Sequence, residues 1–141
     1  MDTTRRTSLR LAAAGLGSLL PALSRAQAAW PTRPIRFVVP FAPGGSSEIV
    51  ARATAAELSK LLGQSVFVDN KPGGAGNVAM AEVARAEDQH TLILGHIGTL
   101  AVNPFIFDKL PYDPARDFRA VSLLAKARLA MAAPATWPSS T

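Results

Sequence analysis

Ile35-Arg36-Phe37-Val38-Val39-Pro40-Phe41-Ala42-Pro43-Gly44-Gly45-Ser46-Ser47-Glu48 is the stretch whose reading decides the fold. Its first five residues form a short, largely β-branched run that ends at Pro40, which predicts a mostly buried strand. Phe41 to Ser47 is rich in turn residues and predicts a loop. From Glu48 to Leu62 the pattern turns helical. Glu48, Arg52 and Ser59 gather on one side, and Val50, Ala53 and Leu61 on another. Glu48 and Arg52 form an acid-first pair at i,i+4 spacing. Ser46 or Ser47 is expected as the N-cap, and Gly63 as the stop.

The same cycle recurs downstream. Ser65 to Val68 predicts a second strand, Asn70 to Gly76 a second loop, and Asn77 to Ala86 a short helix. Thr91 to Leu94 predicts a third strand, followed by a third glycine-bearing loop, Gly95-His96-Ile97-Gly98-Thr99. Leu100 to Val102 can form a turn of helix. Three prolines make residues 103–119 irregular. Val121 to Leu124 is expected as a fourth strand, and Leu129 to Ala132 as a fifth. Strands that alternate with helices imply an α/β fold, with a mostly parallel sheet, flanking helices and right-handed crossovers.

Composition narrows the class. The chain has 141 residues, 48% of them hydrophobic and 18% charged, which argues for a packed domain and against disorder. It contains no cysteine, so a disulfide framework, a thiolate metal site and a cysteine nucleophile are excluded. The net charge of +5 is unevenly placed: Arg5, Arg6, Arg10 and Arg25 stand against Asp2 alone in residues 1–28. The remaining residues hold 11 basic and 9 acidic side chains, too balanced for a nucleic-acid partner. Residues 1–28 themselves read as a cleavable export signal. A basic start precedes the apolar run Leu11 to Leu23, and small residues at Ala26 and Ala28 follow. Cleavage is expected after Ala28, and Arg5-Arg6 is similar to a twin-arginine signal. Residues 29–134 then carry the fold, and residues 135–141 are a frayed tail.

In a parallel sheet the three loops emerge at the strands' C-terminal ends, where α/β proteins bind ligands. Gly44 and Gly45 allow close approach to the main chain. Ser46 and Ser47 add hydroxyls, and the following helix adds unpaired N–H groups with a positive dipole end. These features make an anion site that needs no lysine. Loop three supplies Gly98, the Thr99 hydroxyl and the His96 imidazole. The absence of a Gly-Lys-Ser/Thr ending and of G-x-G-x-x-G spacing speaks against nucleotides. Glu48 would repel a multiply charged phosphate, so a carboxylate suits the loop better. The ligand-binding set is therefore Gly44, Gly45, Ser46, Ser47, His96, Gly98 and Thr99. The glycines of loop two favour a structural role, and His90 a surface position. Neither a metal site, a cofactor nor a catalytic group is expected.

The run from Trp30 to Gly45 resembles the mature start of the Bug-type receptors, the extracytoplasmic solute-binding proteins of tripartite tricarboxylate transporters. The likeness continues through Ile49 to Arg52, Leu62-Gly63-Gln64 and Val68 to Asn77. It returns at Leu94-Gly95, Gly98-Thr99, Asn103-Pro104, Leu110 to Pro114, Asp117-Phe118 and Val121 to Leu123. The resemblance implies a two-lobed periplasmic receptor for small carboxylates, working with membrane transporter subunits. It places the acid in the first lobe, against the loops after strands one and three. Those loops are Pro43 to Ser47 and His96 to Thr99 here.

Two departures accompany the likeness. The family commonly has Asp-Gly-Tyr-Thr before strand three, where this chain has Asp88-Gln89-His90-Thr91. Family members are also much longer, so a partial first lobe of a truncated receptor is expected, with an exposed sheet edge and an uncovered apolar face. An inactive remnant, an edge-pairing module and a Rossmann-type nucleotide-binding domain are the alternatives.

Overall fold

The computed structural model describes residues 30–127. The chain divides into two units, Met1–Thr32 and Arg33–Thr141, and every element described below belongs to the second. The expected export signal, the fifth strand and the frayed tail lie outside the described residues.

Three strands form one parallel sheet: β1 (Ile35–Val39), β2 (Val66–Asn70) and β3 (Thr91–Ile93), in the order β2-β1-β3. Register runs Ile35 to Val66 on one side and Arg36 to Thr91 on the other. Five helical pieces join or follow them. α1 spans Ser46–Leu62, a 3-10 turn at Gly74–Gly76 leads into α2 (Asn77–Ala84), and a π-helical turn at Gly98–Val102 leads into α3 (Asn103–Ile106). The α/β class and the parallel pairing expected from the sequence are present.

Strand alternation divides the two faces. Ile35, Phe37 and Val39 are buried with Ala51 and Ala55 of α1, Val66 of β2 and Leu94. Full burial of each larger side chain contributes about 1.5–3 kcal/mol, so this face supplies most of the drive for collapse. Arg36 alternates to the other face. There it donates to Asp69 at 2.8 Å and to Glu82 of α2 at 2.6 Å, and Glu82 also pairs with Lys71 at 3.4 Å. These groups are a quarter to two-fifths exposed, so solvent screening keeps their worth modest.

The face of α1 that packs differs from the sequence expectation. Ala51, Ala55, Leu58 and Leu62 turn to the sheet, whereas Leu61 is 80% exposed and Ala53 is exposed. Alanines at i and i+4 let the helix lie close to the pleat, and that closeness outweighs the hydrophobicity of Leu61. Gly63 ends the helix in the left-handed conformation as expected, at φ 64°. The start is earlier than expected: Gly45, not Ser46 or Ser47, is the N-cap. The expected fourth strand is absent, and Val121 and Leu123 are 83% and 72% exposed. A β-branched run becomes a strand only where a sheet edge and a core face receive it, and here neither does.

His90 corrects a further expectation. It is buried, not superficial. Its carbonyl accepts the Arg36 N–H at 2.9 Å, and its own N–H donates to Asp88 Oδ1 at 3.0 Å. The turn before β3 places Gln89 at φ 54°, where a side chain is strained and where the resemblance has glycine.

Loops one, two and three meet at one rim. Asn70 Nδ2 donates to the Phe41 carbonyl at 3.0 Å. Gly76 stands at φ 89°, and a Cβ there would lie 2.6 Å from Thr99 Cγ2 and 3.3 Å from Pro40 Cβ. Thr99 is fully buried, so it has little room to retreat. Residues 103–119, expected to be irregular, contribute a buried polar clamp to this rim. Asn103 Nδ2 donates to Asn77 Oδ1 at 2.7 Å and to the Ala75 carbonyl at 3.1 Å. The Tyr112 hydroxyl lies 2.6 Å from the Thr99 carbonyl and 3.0 Å from Asn77 Oδ1. Burial pushes the Tyr112 phenol above its ordinary pKa.

Two substitutions separate these effects. Gly76→Ala combines left-handed strain with overpacking and is expected to cost about 2–4 kcal/mol in urea unfolding. Gln89→Gly relieves strain on an exposed turn and should raise stability by up to about 1 kcal/mol in the same assay.

Candidate functional site

The sheet order fixes where a ligand can sit. From β1 the chain leaves through loop one to α1, which packs with the Ile35-Phe37-Val39 face. From β2 it crosses by α2, whose Glu82 meets Arg36 on the other face. β1 and β3 are neighbours in the sheet, and the space above the C-terminal ends of such strands is the usual ligand position of open α/β sheets. Loop one and loop three flank it. Their contact is direct: the Phe41 and His96 rings meet edge to face, with centroids 5.0 Å apart.

Loop one holds the stronger donor set. Gly45 caps α1 in an extended conformation, φ −87° and ψ 169°, without a side-chain cap. The N–H groups of Ser46 and Ser47, as the first helical residues, have no carbonyl four residues back to which a helix would bond them. The Ser46 side chain is exposed and Ser47 half-buried. The aligned peptides of the 17-residue helix place about half an elementary positive charge at this end.

Glu48 organises the loop rather than opposing it. Its carboxylate accepts the Gly44 N–H at 2.5 Å and pairs with Arg52 at 2.7 Å. The Gly44 amide foremost, and the Arg52 guanidinium next, hold the Glu48 carboxyl below its usual range. The carboxylate thus reaches back from the third helical position to the residue before the N-cap, one residue beyond the reach of a capping box. The contact leaves the capping position to Gly45, and neither serine caps the helix. It also means that the Gly44 amide is already engaged.

Loop three is more committed internally than the sequence implied. Thr99, expected to offer its hydroxyl, is fully buried. Its Oγ1 donates to the His96 carbonyl at 3.1 Å, so here it acts as a strut beneath the loop. The Gly98 N–H donates to His96 Nδ1 at 3.0 Å. Because Nδ1 accepts there, the neutral imidazole carries its proton on Nε2. His96 itself is exposed at the rim. Of the seven expected residues, Gly45, Ser46, Ser47 and His96 therefore present donors, while Gly44, Gly98 and Thr99 are paired within the loops. Asn70, Asn77, Asn103 and Tyr112 support the rim and were not singled out from the sequence. Buried polar side chains in a proline-rich stretch carry no local periodic signal.

A shallow groove of about 540 Å³ opens elsewhere, between α2 and Pro111, lined by Asn77, Val78, Ala81, Glu82, Arg85 and Pro111. It lacks the clustered main-chain donors of loop one, and the Glu82 carboxylate disfavours an acid there. Among the described residues no group of three His, Asp or Glu could hold a metal ion, and no helix is long and apolar enough to cross a membrane.

Comparison with known proteins assigns the class. The model of the tripartite tricarboxylate transporter family receptor matches residues 50–141. The chain belongs to this family of periplasmic solute-binding receptors, and the likeness to Bug-type proteins read from its sequence holds. It is 40% identical over 110 residues to the UPF0065 protein in the TAR-I ttuE-ttuC' intergenic region of Agrobacterium vitis, covering 77% of this chain and 32% of that protein. Among solved structures it is similar to MatC from Rhodopseudomonas palustris with bound malate (TM-score 0.65, 46% identity, 67% of this chain and 33% of that one). It is also similar to R. palustris Rpa4515 with adipate (TM-score 0.59, 44% identity, 61% and 29%). The chain thus spans about a third of the length of the proteins it matches.

The Glu48 cap gives a signed pH dependence. A carboxyl with a depressed folded pKa stabilises above its ordinary value, about 4.3, and the contribution is lost as pH falls through the folded value. Glu48→Gln should therefore lower the melting temperature near neutral pH, and the gap to wild type should close below about pH 4. Thermal unfolding across this range checks it.

Proposed function

We propose that the rim formed by loops one and three is the first-lobe half of a receptor site for a small carboxylate. The observation that carries this reading is the N-terminus of α1 at this rim. There the Gly45 cap leads into two helical amides and two serine hydroxyls, and the exposed His96 stands across the rim. Donors of this kind bind anions through oriented N–H groups without a fixed cation. Malate and adipate, found in the two structural relatives, make dicarboxylates the first compounds to examine.

Export to the periplasm on a signal in residues 1–28, and delivery of the ligand to membrane subunits of a tripartite transporter, are part of this reading, and family membership supports them. Small-molecule sites commonly bury 70% or more of their ligand. The rim of loops one and three would supply one side of that cover. The site's role is binding, with no bond-making residue assigned to it.

One substitution tests the reading without disturbing the fold. Proline is favoured at the first helical position, where its missing N–H breaks no helical bond. The extended Gly45 that precedes Ser46 suits a following proline. Ser46→Pro should keep the melting temperature within a few degrees of wild type. It should weaken malate or adipate binding by about tenfold, as loss of one charge-assisted hydrogen bond implies. Calorimetric titration that finds unchanged affinity in Ser46→Pro rejects the α1 terminus as the anion site.

A further inference from the structure

The rim holds a histidine whose ring is bonded to a main-chain donor of the same rim. His96 Nδ1 accepts the Gly98 N–H at 3.0 Å. An imidazolium has no lone pair, and both its nitrogens are donors. Protonation of His96 therefore ends this hydrogen bond whichever way the ring turns. The main chain of the loop does not depend on the ring: the His96 carbonyl accepts from Thr99 Oγ1 at 3.1 Å and from the Leu100 N–H at 2.9 Å. The imidazole can swing away while the loop stays in place.

We propose that His96 is a proton-gated positioning residue of the carboxylate site: in its neutral form it occupies the Gly98 amide, and on protonation it releases that amide to the bound acid. The inference rests on the carboxylate reading above and adds how that site is regulated. One proton is taken up for each amide released. The freed N–H and the new positive charge both favour an anion at the rim. By linkage, an anion bound there favours protonation of His96 to the same degree.

The ring meets Phe41 and the Gly98 amide, neither of which ionises in the neutral range. On the elements packed around the rim, Glu48 is engaged by Gly44 and Arg52, Asp69 by Arg36 and Lys71 by Glu82. The Tyr112 phenol is bonded to Asn77 and to the Thr99 carbonyl. His90, the other histidine, precedes β3 and so lies at the opposite end of the sheet. Histidine is the side chain whose charge most readily changes near neutral pH, and His96 is the histidine of this rim.

Nuclear magnetic resonance of the isotope-labelled chain, with malate as the probe, tests the gate. The Gly98 amide resonance is expected to move with the same midpoint as the His96 ring. Malate should raise that midpoint and bind at least about threefold more tightly at pH ~6 than at pH ~8. His96→Asn keeps an acceptor near the Nδ1 position but does not titrate, so its malate affinity should be the same at both pH values. A Gly98 resonance indifferent to the His96 titration overturns the proposal. Equal wild-type affinity at both pH values overturns it too, while leaving the carboxylate reading intact. If Gly98 follows His96 but malate binds at neither pH, the gate stands and the carboxylate reading falls.

Discussion

The parallel pairing of β1 with a strand on each side is the constraint from which the rest of the molecule follows. With β2 and β3 running the same way as β1, the outgoing loops of all three strands leave at one rim. Had β3 been antiparallel to β1, loop three would have left at the other end, away from loop one. The crossovers after β1 and β2 lie on opposite faces of the sheet, and loops one and three are left side by side at the rim.

The rim is kept in shape by polar groups and close packing rather than by apolar bulk. Gly76 lets loop two lie against Thr99 and Pro40 at distances that any side chain would violate. Asn77, Asn103 and Tyr112 then satisfy one another and the main-chain carbonyls of Ala75 and Thr99. Among the described residues no buried side-chain nitrogen or oxygen lacks a partner. Such a network holds loops in one arrangement, because each member left unpaired would carry a desolvation penalty. A preorganised rim matters for an anion site built from main-chain amides, since their direction is set only by the backbone.

Within that frame two internal acceptors decide which amides remain for a ligand. Glu48 takes Gly44, and His96 takes Gly98. The two differ in kind. The Glu48 carboxyl is held in its ionised form by its partners, so its claim on Gly44 is permanent at neutral pH. An imidazole's claim lasts only while it is neutral. The first contact shapes the loop, and the second gives the site a state that can change. Both arise from short sequence separations, four residues and two, which turns of the chain satisfy without help from distant parts.

Much of this was legible in the residues themselves. The β1 run between prolines, the glycine pairs of the loops and the Gly63 stop are local signals, and local physics decides them. The family likeness is likewise written in the order of its motifs. Tertiary structure decided what depends on distant neighbours. It chose the Ala51–Ala55 face of α1 over Leu61, buried His90 and Thr99, gave Asn103 and Tyr112 their partners, and left Val121 to Leu124 unpaired. The reason is physical: propensity and turn chemistry are set by a residue and its chain neighbours, whereas burial, hydrogen-bond partners and strand pairing are set by whatever the folded chain brings alongside.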